Sequence, residues 1–262
     1  MIDYFNTVFE QTGLQLLYFF GPVLLLALIM QLLVSSVEQV SYNIMGRKIY
    51  LFCFAWLGVS VHELGHALFC LIFRHKIEEI KLFSPDSETG SLGYVRHSYN
   101  KSSMYQRIGN FFIGIGPILL GSLVIFFSAK LLLNSQIQTA TSSQAIGLIE
   151  LLSSSFFGAW DYFTSLFVLE SLTRWQTYLF FYISFSVGSH ITLSRADIKG
   201  AFSGFISLVL VVFIVNLISI NFYNLGGSLY QSVTPAYHFF YGIMFFVLLI
   251  NLLFRAILAL FQ

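Results

Sequence analysis

The chain has 262 residues, of which 57% are hydrophobic and only 10% charged, and its 13 Lys and Arg are matched by 12 Asp and Glu. A soluble domain carries about 25% charged residues, so the composition points to lipid as the solvent and gives no charge bias toward nucleic acid or acidic substrates. No stretch is left to bury a separate aqueous core, which predicts one membrane-embedded domain over 1–262 with its core at roughly 50–222.

The segment before Gly13 holds Asp3 and Glu10 but no Lys or Arg. It lacks the basic start of a cleavable signal peptide, so the first apolar run, 14–34, is expected to stay as a membrane span. About 20 apolar residues cross roughly 30 Å of hydrocarbon. Further runs near 50–73, 108–133, 175–193, 201–222 and 237–261 predict an all-α polytopic membrane protein of about six transmembrane helices. The stretch 134–174, punctuated by Glu150, Asp161 and Glu170, fits an interfacial, re-entrant or shortened span. Cys53 and Cys70 fall on one predicted helix, about 25 Å apart along its axis, and cannot pair with each other. Outside any CxxC pattern, they read as small apolar helix residues.

Six of the 13 basic residues, Arg74, Lys76, Lys81, Arg96, Lys101 and Arg107, fall between the second and third spans. Short loops rich in Lys and Arg stay in the cytoplasm, which places this loop there. With 134–174 not crossing, Arg195 and Lys199 emerge on the same side and the uncharged 223–237 loop on the other, so six spans put both termini inside, with Arg47, Lys48, Lys130 and Arg174 outside. The expected location is a multi-pass integral membrane protein, in the inner or plasma membrane for a bacterial chain. Within the basic loop, the strand-like runs 79–83 and 91–96 flank the turn-forming segment 84–90 and predict a short β-hairpin.

The chemistry concentrates at His62-Glu63-Leu64-Gly65-His66, inside an otherwise uncharged apolar run. Histidines four apart on a helix project from one face and can grip one metal ion, and the Glu beside the first can take a proton from a water that the metal acidifies. A carboxylate at membrane depth costs roughly 2.5–3.5 kcal/mol on insertion scales, so such a residue is usually paired and functional. Catalytic zinc usually has three protein ligands, and two residues at the ends of later spans are candidates for the third. Asp197 opens the span after Ser194, where it reads either as a ligand or as a helix N-terminal carboxylate facing the dipole. His190 ends the preceding span and reads as a ligand, a partner of a ligand, an oxyanion stabiliser or an interfacial histidine. Asp161 and Glu170 are less well placed, and His75, His97 and His238 receive no catalytic role.

These motifs resemble the site-2 protease family of intramembrane zinc metalloproteases. The resemblance rests on His62-Glu63-Leu64-Gly65-His66-Ala67, the loop run from Thr89 to Val95, Arg107 leading to Gly114-Ile115-Gly116-Pro117, and Asp197-Ile198-Lys199-Gly200. It implies Zn2+ held by His62, His66 and Asp197, Glu63 as general base, a membrane-anchored protein substrate, and a loop hairpin whose strand edge grips an unwound substrate segment. Two other functions share the residues: a membrane pseudoprotease that binds transmembrane helices without cleavage, and a metal or proton transporter.

Overall fold

The structure is a computed structural model that describes residues 2–86, 90–133, 147–219 and 225–261. The hairpin tip at 87–89, the 134–146 part of the ambiguous stretch and the loop segment 220–224 lie outside the described residues. In chain order the helices are α1 (Ile2–Met45), α2 (Arg47–Tyr50) and α3 (Trp56–Ile72), with a π turn at Leu51–Ala55 joining the last two into one rod. The hairpin strands β1 (Lys76–Lys81) and β2 (Tyr94–Ser98) follow, then α4 (Met104–Leu133), α5 (Leu148–Ser165), α6 (Leu169–Leu172), α7 (Trp175–Gly188), α8 (Arg195–Ser219) and α9 (Leu225–Ala259). Gly46 separates α1 from α2 at φ 83°, a left-handed conformation open to glycine without steric cost.

Among the described residues, five helical segments are long and apolar enough to cross a membrane: Tyr4–Met45, Arg47–Ile72, Met104–Leu133, Arg195–Ile218 and Pro235–Ala259. The expected span at 175–193 is instead the 14-residue α7, about 21 Å long at 1.5 Å per residue and short of the roughly 30 Å hydrocarbon layer. Its helix stops at Gly188, where the backbone turns through Ser189 and His190. Helix α5, carrying Glu150 and Asp161, lies along α9, with Ser155 Oγ 3.1 Å from His238 Nδ1 and the Tyr162 and Phe246 rings 5.4 Å apart. So α5 to α7 form an inserted unit between two core helices.

The five long segments alternate in direction. Residues meet in opposed order between α3 and α4 (Gly65 with Gly116, Phe73 with Gly109), between α4 and α8 (Gly114 with Ala201, Phe111 with Gly204) and between α1 and α8 (Phe9 with Phe213, Phe20 with Phe205). Helices α1 and α9 run together, pairing Tyr18 with Tyr241 and Ser36 with Arg255. Two expectations are corrected. Five alternating segments put the described chain ends at opposite ends of the bundle, and α8 packs on α4 and runs in the same direction as α3, toward the hairpin side. The reason is that α5 to α7 return toward the core without adding a long crossing.

Among the described residues, the core gathers Tyr50, Phe180, Tyr241 and Phe246 between α2, α7 and α9, whereas Leu28 and Leu32 on α1 and Phe202, Ile206 and Leu210 on α8 point outward. Exposed apolar faces on helices with internally satisfied backbones suit lipid. Helices α3 and α4 meet at backbone distance, because a Cβ on Gly65 would lie 2.7 Å from the Gly116 carbonyl carbon and the Pro117 nitrogen. Small residues permit this approach. Gly65→Val is therefore expected to destabilise the fold by about 3 kcal/mol, read as a lower Tm in detergent. The same scan on Leu71→Ala, at an outward-facing side chain, is expected to show little change.

Candidate metal centre

The α3 helix sets His62 and His66 one turn apart, and their Nε2 atoms lie 3.2 Å from each other. Asp197 reaches both from α8, with Oδ1 3.1 Å from His66 Nε2 and Oδ2 3.6 Å from His62 Nε2. Each imidazole is oriented from behind by a backbone carbonyl. His66 Nδ1 lies 2.7 Å from the Ile113 oxygen, and His62 Nδ1 lies 2.9 Å from the His190 oxygen. A carbonyl only accepts, so both Nδ1 atoms carry the proton and both Nε2 lone pairs face the centre.

Both carbonyls are free for a reason written in the chain. Pro117 has no N–H, so the helical bond it would give to Ile113, four residues earlier, is missing. His66 takes that acceptor. Helix α7 ends at Gly188, and the His190 carbonyl just past its end has no intrahelical donor. His62 takes that one. The expectation that the His190 ring is itself a candidate ligand is thereby altered. Its Nδ1 faces the Ser186 oxygen at 2.9 Å, and the residue meets His62 through its backbone.

Asp197 caps α8 as well as facing both histidines. Ser194 N–H donates to Asp197 Oδ2 at 2.7 Å, and Asp197 N–H donates to Ser194 Oγ at 3.1 Å. This reciprocal capping box satisfies orphan donors at the start of α8, and it locks the carboxylate in the rotamer that faces the histidines.

The donor set fits a metal ion. Two imidazole nitrogens and one carboxylate, all within 4.8 Å of one another, converge from two helices. Ligands held 2.0–2.1 Å from a tetrahedral zinc are about 3.3 Å apart, and the observed 3.1, 3.2 and 3.6 Å bracket that value. Glu63 is 7% exposed beside this cluster. Gly93 at the foot of β2 lies over it, since a Cβ there would come 2.8 Å from Glu63 Cγ. A cavity of about 580 Å³ brings His62, Glu63, His66, Asp197, Gly93 and Tyr94 onto one wall system.

The other candidates lie elsewhere. Asp161 is exposed on α5, and Glu170 is exposed and paired with Arg174. The hairpin is present as expected, with strands at 76–81 and 94–98 in antiparallel register, Ile80 opposite Val95. The Tyr94 hydroxyl donates to Glu79 across it at 2.7 Å and holds that carboxyl below its usual range. Cys70, taken from sequence as a plain apolar residue, instead groups with His75 and His97 within 4.8 Å. Burial lowers both of these imidazoles below their usual range. Comparison with protein-family models, curated proteins and solved structures returned no match for the chain.

Proposed function

We propose that the protein is an intramembrane zinc metalloprotease that hydrolyses peptide bonds of membrane-anchored proteins. The observation that carries this reading is the convergence of His62, His66 and Asp197 beside a buried Glu63, inside a bundle of apolar helices. His62, His66 and Asp197 would hold the ion, which supplies a Lewis acid that polarises a peptide carbonyl and acidifies water. Glu63 is the general base: it takes the proton from the attacking water and returns it to the leaving amine. The carbonyls of Ile113 and His190 hold the imidazoles in the tautomer that ligation needs. Residues 91–95 border the cavity, and the outer edge of β2 offers main-chain hydrogen bonds to an extended substrate segment next to Glu63.

The test uses the full chain in liposomes with a single-pass reporter whose transmembrane segment carries helix-breaking residues. Cleavage is expected, with loss of activity under a zinc chelator and recovery on adding Zn2+. Retention of the uncut reporter would favour the pseudoprotease, and chelator-sensitive zinc or proton flux across sealed vesicles would favour the transporter.

A further inference from the structure

We propose that Cys70, His75 and His97 form a second metal site, separate from the first, taking a borderline-soft ion of the zinc class. Cys70 continues the stripe of His62 and His66 on α3, again four residues on, about 6 Å further along the axis. It therefore points to the same side of the helix one turn nearer the hairpin.

The end of α3 then folds a histidine back over it. His75 N–H donates to the Cys70 carbonyl at 2.8 Å and Arg74 N–H to the Leu71 carbonyl at 3.1 Å, with Arg74 at φ 57°. These are the paired bonds of a Schellman motif, whose two outer positions usually close with a hydrophobic contact. Here those positions hold a thiol and an imidazole. The left-handed residue is an arginine where glycine is favoured, and Gln106 secures the turn by donating from Nε2 to the Arg74 carbonyl at 2.8 Å.

His75 is 4% exposed and Cys70 is fully buried. The Tyr99 ring stacks on His75 at 5.0 Å and 15°. His75 Nε2 donates to the Gln106 carbonyl at 2.8 Å, which leaves Nδ1 with its lone pair, 3.0 Å from His97 Nδ1. One sulfur and two nitrogens thus lie within 4.8 Å of one another, with no oxygen in the set. Mg2+ and Ca2+ require oxygen ligands, whereas thiolate and imidazole suit zinc. Binding deprotonates the Cys70 thiol and releases that proton. His97 lies on β2 and also borders the main cavity, so an ion here ties the hairpin to the end of α3.

Cobalt(II) serves as the probe, because thiolate ligation gives a near-ultraviolet charge-transfer band that a site of nitrogen and oxygen ligands lacks. Metal-stripped full-length protein in detergent is expected to take up two equivalents, one of them with the band. Cys70→Ser should lose the band and one equivalent, His97→Ala should weaken binding of the same equivalent, and Cys53→Ser should change neither. Asp197→Ala should lose the other equivalent and keep the band, which separates this proposal from the protease reading. Absence of the band in the wild type, or a band lost in Cys53→Ser, overturns the proposal. The cluster would then be a hydrogen-bonded histidine pair beside a buried thiol.

Discussion

Glu63→Gln is expected to lower cleavage of a membrane-anchored substrate by about 10²- to 10⁴-fold, the usual contribution of a general base, while the protein still takes up metal. The substitution keeps the volume of a side chain buried against Gly93 and removes only the proton acceptor. Glu63 contributes no atom to the cluster of His62, His66 and Asp197, so metal content should match the wild type. Initial rates and metal analysis on the same preparations decide the matter. Unchanged cleavage would remove Glu63 from the chemistry, whereas parallel loss of rate and metal would make it a structural support of the site.

The second large effect is on metal affinity, and three variants are expected to fall in a fixed order. Asp197→Ala removes one of the three candidate ligands and the clamp at the start of α8, and should lose the equivalent of zinc bound with His62 and His66 in detergent-purified protein. Pro117→Ala restores an N–H that competes with His66 for the Ile113 carbonyl, and should weaken affinity by about 10- to 100-fold, the range seen when partners of ligands are lost. His190→Ala keeps the carbonyl that orients His62 and should retain the metal. Zinc loss in His190→Ala with retention in Asp197→Ala would reverse the assignment of the third ligand. Competition with a chromogenic chelator measures all three.

Membrane class and the shared helix face of His62 and His66 were legible in the sequence because both depend on local quantities. Hydropathy adds along a run of about 20 residues, and the spacing of His62 and His66 converts to a shared helix face through 3.6 residues per turn. The hairpin was legible for the same reason, since turn-forming residues announce it; its strands begin and end a few residues away from the expected positions, where cross-strand pairing and not turn chemistry sets the limits.

Other features were decided only by tertiary packing. Whether 175–193 crosses depended on where α7 stops and on α5 lying along α9, and that in turn set the direction of α8. Asp197, which opens one apolar run, was preferred to His190, which ends another, by ligand chemistry and resemblance and not by geometry. Folding gave one a carboxylate contact with both histidines and the other a carbonyl contact with His62. Pro117 carried a readable signal, a freed carbonyl four residues back, but the imidazole that uses it comes from a helix 47 residues distant in sequence. Cys70 and His75 are joined by a local turn, yet His97 arrives from the far strand of the hairpin, 22 residues on. Side-chain periodicity ties each residue to its own helix or strand, and only the packing of separate elements brings their polar atoms to one point.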